Sequence, residues 1–162
     1  WRDESNTFTV EPYCVKLFKQ RWYVLAQSEY EDGRVLVYSL DRFLEVSRTD
    51  IKYEIPADFD VDEYFSVFYG VSCVNGTKAE LVRLKVDAWQ AKYFRSLPLH
   101  PSQQEMETTD EYSIFEYFLV PTFELSKEIL SNGPAVEVLA PQSLRNEIAD
   151  KIGEMCAKYE LK

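Results

Sequence analysis

The sequence predicts a two-part fold, a small β-barrel followed by an α+β domain, and three observations point to it. Residues 8–44 hold short runs rich in Val, Tyr, Phe, Trp and Leu, separated by turn dipeptides. Pro56 and the acidic run Asp58, Asp60, Asp62 and Glu63 end that pattern. Beyond Thr77, strand-like alternation and helix-like spacing follow in the order β, α, β, β, α, β, α. The boundary is expected between Gly70 and Thr77, giving domains at 1–70 and 77–162.

In the first domain, strands are expected around Tyr13 to Phe18, Trp22 to Gln27 and Val35 to Leu40. Asp32-Gly33 is the strongest turn signal, because a two-residue type I′ loop needs positive φ at both central positions. Lys19-Gln20 joins the preceding pair and is a poorer turn dipeptide. A short helix is expected from Val61 to Tyr69, with carboxylates at its start favoured by the helix dipole and Gly70 stopping it.

The second domain opens with Val82, Leu84 and Val86 alternating with Arg83 and Lys85, as a strand with one buried face requires. Asp87 is placed to cap a helix reaching Phe94, and strands follow at Gln103 to Thr108 and Tyr112 to Val120. Thr122 opens a helix that Asn132-Gly133-Pro134 closes, with glycine just past the end and proline beyond it. Val136 to Leu139 forms the fourth strand, and Leu144, Ile148, Ile152, Met155 and Tyr159 mark one face of a final helix.

Composition excludes several functions. The formal net charge is -10, which opposes broad attachment to duplex DNA, since that depends on many phosphates meeting Lys and Arg. Weak duplex binding is therefore expected of these residues. No stretch approaches the roughly 18 consecutive apolar residues of a membrane span, so no membrane partner is expected. Cys14, Cys73 and Cys156 are odd in number, far apart and outside any CxxC or His cluster, which supports neither a disulfide framework nor a zinc site and fits a reducing cytoplasm.

Enzyme chemistry finds little support. His100 is the sole histidine and sits between Pro98 and Pro101 with no nucleophile motif beside it, so it reads as a structural loop residue. Asp58-x-Asp60-x-Asp62 resembles the opening of a calcium loop, but Glu63 and Tyr69 stand where that loop needs Gly and Glu. A solvated helix start explains the run better. No GxGxxG or GxxxxGK[ST] is present, and no cofactor or metal is expected.

The informative segments are Glu11-Pro12-Tyr13, Lys16, Arg21-Trp22-Tyr23-Val24-Leu25 and Tyr38-Ser39-Leu40-Asp41-Arg42-Phe43. Together they resemble the WYL domain, an SH3-like or Sm-like β-barrel named for a Trp-Tyr-Leu triplet, here with Val24 in the Leu place. Ala91-x-Tyr93-x-Arg95-Ser96-x-Pro98-Leu99-His100-Pro101-Ser102-Gln103 and Val136-Glu137-Val138-Leu139-Ala140-Pro141 resemble the WCX extension that commonly follows it. The resemblance implies a ferredoxin-like second domain and a bacterial transcription regulator, usually built as a DNA-binding winged helix-turn-helix, then WYL, then WCX. The first element is not in these residues, and the sequence opens close to where the family's first strand should end. A piece of a longer protein is expected, with DNA reached through a domain outside this chain.

In that family the barrel is regarded as the sensor, and in several members it is thought to bind single-stranded nucleic acid or a nucleotide. The resemblance assigns the corresponding role here to Arg42 and Arg21, with Tyr13, Tyr23, Tyr38 and Lys16 around them. A phosphate needs a fixed guanidinium fork and a base needs a ring to stack on. The sequence departs from many members at Leu36 and Ser39, where they carry a basic residue. Plainer readings stand beside these roles. Trp22 and Tyr38 suit core or hairpin packing, Arg42 can pair with Asp41 or Glu45, and Arg21 and Lys16 suit solvated positions beside a turn. Arg83 and Lys85 are expected on the open face of the second sheet, where they touch nucleic acid or keep that face soluble.

The resulting expectation is the ligand-sensing region of a regulator, cytoplasmic and without enzyme activity, whose effector is single-stranded nucleic acid or a nucleotide. Its rival is a protein-interaction module that builds a homodimer and takes no small ligand.

Overall fold

The computed structural model describes residues 5–28, 34–73 and 76–159. The chain divides into two compact units, residues 1–64 and 65–162. The first holds a three-stranded antiparallel sheet, β1 (Val10–Phe18), β2 (Arg21–Ser28) and β3 (Val35–Ser39), in the order β1-β2-β3. β2 is central and carries the buried Val24, Leu25 and Ala26. β1 is an edge, which is why it tolerates Pro12, a residue with no N–H to give to a ladder. Its register shifts between Pro12 and Cys14, leaving Tyr13 at a bulge. The sheet is an open meander among the described residues, and the expected Asp32-Gly33 turn lies outside them.

The β1–β2 turn is tight. Phe18 pairs with Arg21, and Lys19 and Gln20 between them adopt φ of 46° and 66°. Two side-chain-bearing residues thus occupy the left-handed region, at a cost of roughly 1–2 kcal/mol each. Replacing Lys19-Gln20 by Asn-Gly should raise the stability of the first unit by about 1 kcal/mol, seen as a higher urea midpoint.

Helix α1 (Val61–Phe65) is shorter than the sequence pattern suggests. Asp60 caps it, its Oδ1 accepting from the backbone N–H groups of Asp62 and Glu63 at 2.8 and 3.0 Å. It stops at Phe65 because the next residues pair elsewhere: Phe68 bridges to Val120, and Val120 N–H donates to the Val67 carbonyl at 2.8 Å. Gly70, with φ of 101°, follows in a turn. The division into units therefore falls inside α1, and Phe65–Gly70 go with the second unit instead of the first.

The second unit contains β4 (Glu80–Asp87), α2 (Ala88–Ser96), β5 (Gln104–Thr108), β6 (Tyr112–Leu119), α3 (Phe123–Ser131), β7 (Val136–Ala140) and α4 (Gln142–Lys158). Its antiparallel sheet runs β5-β6-β4-β7. Alternate residues of β4 and β6, namely Val82, Leu84, Val86, Phe115, Tyr117 and Leu119, are buried in one core with Phe94, Leu125, Ile129, Leu144 and Ile148 from the helices. Thr122 caps α3 as expected, accepting from Leu125 N–H. Asp87 precedes α2 but makes no side-chain capping bond. The α4 stripe divides: Leu144 and Ile148 enter the core, while Ile152, Met155 and Tyr159 remain exposed.

Two polar clusters join the α2–β5 connection to the sheet. His100 is buried, its Nδ1 accepting from Ser102 N–H at 3.2 Å and lying 2.7 Å from Ser102 Oγ. Gln103 bonds through both ends of its amide: Nε2 donates to the Phe94 carbonyl at 2.7 Å, and Oε1 accepts from Leu99 N–H at 3.1 Å and the Tyr117 hydroxyl at 3.0 Å. Nearby, Arg95 donates to both oxygens of Glu105 and to Ser113 Oγ. The Arg95 hydrogen bond, aided by those of Thr108 and Ser113, holds the Glu105 carboxyl at about 2, well below its usual 4.5.

Glu105 is therefore charged more readily in the folded chain than in the unfolded one. Its contribution to stability is present above about pH 4.5, fades as the pH falls, and is gone below about 2. Both partners are partly solvated, so screening limits the effect. Glu105→Gln should cost about 1 kcal/mol near neutral pH. Denaturant curves of wild type and variant should converge as the pH approaches about 2.

Candidate functional site

The register of the first sheet places most of the sequence-predicted residues. Lys16 pairs with Tyr23, and Tyr23 with Ser39, so these three lie side by side on one face. Arg21 lies two residues before Tyr23 in β2 and shares that face, about 7 Å along the strand. A 3-10 turn, Leu40–Arg42, continues from β3 and closes with Phe43 N–H donating to the Leu40 carbonyl at 3.2 Å. It brings Asp41 to Arg21, whose Nη1 donates to Asp41 Oδ2 at 3.2 Å. Ser39 Oγ donates to the other carboxylate oxygen. The Ser39 hydrogen bond, with Arg21 nearby, holds the Asp41 carboxyl below its usual range. Arg42 ends this turn and is exposed, one residue from the ion-paired carboxylate.

The three tyrosines part company. Tyr23 is half-buried, on the face it shares with Lys16 and Arg21. The Tyr13 hydroxyl donates to Gln27 Oε1 at 2.6 Å, four residues beyond Tyr23 along β2, or about 13 Å. Its ring meets Phe59 edge-on at 4.8 Å, and burial, with Glu11 nearby, pushes its hydroxyl pKa up. Tyr38 pairs with Val24, so it lies on the opposite face, its ring 5.6 Å from Phe8. Trp22 shares that opposite face, paired with Leu17, and is half exposed instead of sitting in a core.

Sequence reasoning missed the Arg21–Asp41 pair, which spans 20 residues. The β2–β3 register produces it: Tyr23 pairs with Ser39, and two residues further out along both segments Arg21 stands opposite Asp41. In the second sheet, Arg83 and Lys85 share the face away from the core, and each is engaged within it. Arg83 Nε bonds Glu116 at 2.6 Å, and Lys85 Nζ lies 4.3 Å above the Tyr112 ring. Among the described residues no three His, Cys, Asp or Glu side chains gather to hold a metal, and no helix is long and apolar enough to cross a membrane.

Comparison with known proteins assigns both units. Residues 1–48 match the WYL domain and residues 78–156 match the WCX domain. No curated protein matches the chain. Among solved structures, a CRISPR Cas-related protein shares 13% identity at a TM-score of 0.57, over 97% of this chain and 44% of the other. The proteasome accessory factor B/C (PafBC) of Arthrobacter aurescens shares 20% identity at a TM-score of 0.36, over 86% of this chain and 21% of the other. The chain thus spans less than half the length of either structure. With its two matched domains in this order, the chain belongs to the WYL-domain proteins that carry a WCX domain.

Proposed function

We propose that this chain is the ligand-sensing region of a WYL-family transcription regulator, and that its effector is single-stranded nucleic acid or a nucleotide. One observation carries the reading: Lys16, Arg21 and Tyr23 share a face of the β1–β3 sheet, and Arg42 stands at the end of the turn that adjoins it. Cations there would meet phosphates, and the Tyr23 ring would stack on a base. Asp41 orients the Arg21 guanidinium from one side, leaving its remaining donors for a ligand. Tyr13 and Tyr38 support the scaffold more than the ligand, since one hydroxyl is engaged by Gln27 and the other ring lies across the sheet.

The same reading takes the meander as part of an SH3-like or Sm-like barrel. It takes the second unit as ferredoxin-like, which the strand order β5-β6-β4-β7 supports, with α2 and α3 following β4 and β6. The sensing role requires no catalytic step and no cofactor. Effector occupancy would pass to a DNA-binding domain outside this chain, in the cytoplasm, and that transfer requires two states with different effector affinity. Homodimerisation is the means by which such a region would act on two half-sites.

The test is titration of a labelled short single-stranded oligonucleotide into wild type, Arg42→Ala and Arg21→Ala at two salt concentrations. Saturable binding that weakens in both variants supports the reading. Equal affinity in all three proteins would remove these arginines from the site. No binding by wild type at low salt would leave the interaction module as the better account.

A further inference from the structure

Between the 3-10 turn and α1, residues 44–56 form no helix and belong to no strand ladder among the described residues. They are nevertheless patterned as a strand. Ile51, Tyr53 and Ile55 alternate with Lys52 and Glu54, and three of these five residues have strong β-preference. The apolar members are poorly covered, with Ile51 at 64%, Ile55 at 42% and Tyr53 at 39% exposure. The Tyr53 hydroxyl donates to the Pro12 carbonyl at 2.7 Å, which anchors the middle of the segment to β1. An exposed segment with this pattern is a template for strand pairing.

We propose that Ile51–Ile55 pairs antiparallel with the same segment of a second copy of this chain, about a two-fold axis at Tyr53. Charge complementarity selects this occupant and this register. Centred on Tyr53, the pairing sets Lys52 opposite Glu54 of the copy, Glu54 opposite its Lys52, and each Ile51 opposite an Ile55. A shift by two residues in one direction sets Lys52 against Lys52, and in the other Glu54 against Glu54. Parallel in-register pairing sets like charges side by side at both positions.

Pro56 agrees with the same arrangement. If Ile51, Tyr53 and Ile55 are the hydrogen-bonded positions, Pro56 falls at a non-bonded one, where its missing N–H costs nothing. Lys52 and Glu54 then occupy the closer, non-bonded pairs, where cross-strand side chains interact best. This inference does not depend on the effector reading, because none of these residues belongs to the proposed ligand face.

The experiment is sedimentation velocity of the 162-residue chain over a concentration series, with Lys52→Glu, Glu54→Lys and a one-to-one mixture of the two variants. Wild type should show a reversible monomer–dimer equilibrium. Each single reversal turns two complementary pairs into like-charge pairs and should weaken the dimer by about tenfold or more. The mixture should regain wild-type affinity, since both carboxylates of the Lys52→Glu chain then face both ammonium groups of the Glu54→Lys chain. The charge-swapped double variant should do the same. Both substitutions are at exposed positions, and recovery in the mixture itself shows that the single variants are folded. A wild type that stays monomeric throughout, a dimer indifferent to both reversals, or a mixture no tighter than either variant alone would each overturn the proposal.

Discussion

Gln103→Ala should destabilise the second unit by about 3 kcal/mol, a large effect for a polar side chain. The reason lies at the end of α2. The carbonyl of Phe94 would normally accept from the residue four positions on, but that residue is Pro98, which has no N–H. Gln103 Nε2 supplies the missing donor, while its Oε1 serves the Leu99 N–H and the Tyr117 hydroxyl. Tyr117 is 1% exposed, so water cannot replace the lost partner there, and burial already pushes its pKa strongly upward. Tyr117→Phe should cost only about 1 kcal/mol, because Oε1 keeps the Leu99 bond. The double variant should lose less than the two single losses combined, since both remove the same hydrogen bond. Urea unfolding of the four proteins measures all three quantities; a loss for Gln103→Ala below about 1 kcal/mol would show that the connection relaxes to find other partners.

The oligonucleotide affinity of wild type should fall about twentyfold as salt rises from about 50 to 200 mM, if Lys16, Arg21 and Arg42 each neutralise one phosphate. For single strands the logarithmic slope is about -0.7 per contact, so three contacts give roughly -2. Arg42→Ala should weaken binding at low salt and make the slope shallower by about 0.7. Tyr23→Ala should behave differently: a stacking loss of about 1–3 kcal/mol with no change in slope, because no charge is removed. Tyr38→Phe, on the opposite face of the sheet, should leave both affinity and slope unchanged. A slope that is the same in wild type and Arg42→Ala would mean that Arg42 meets no phosphate, whatever the affinity.

Much of this was legible in the residues. The alternation of Val82, Leu84 and Val86 with Arg83 and Lys85 identified a strand with one buried face, and Thr122 with Gly133 marked both ends of α3. These signals are local: each depends on side-chain period or on backbone preference within a few residues. The motif around Arg95 and Gln103 was legible as a resemblance but not as physics. Its residues earn their place by satisfying the Phe94 carbonyl, the Tyr117 hydroxyl and Glu105, partners that no spacing rule brings together.

The composition and motifs by themselves determined the two domains, their order, the limits set by a net charge of -10, and the basic and aromatic residue types available for a ligand. Tertiary structure alone decided which of those residues meet. Side chains alternate across a strand, so the register set by the turn at Lys19-Gln20 brings Lys16 beside Tyr23 on the face that Arg21 shares, while the separate β2–β3 register pairs Tyr38 with Val24 and puts it on the other face. It also decided that the apolar stripe of α4 is only half used and that Ile51–Ile55 is left outside the sheet. How far a helix extends past its core, and whether a strand-like segment finds a neighbour, depend on what the rest of the chain covers, and a local pattern carries no information about that.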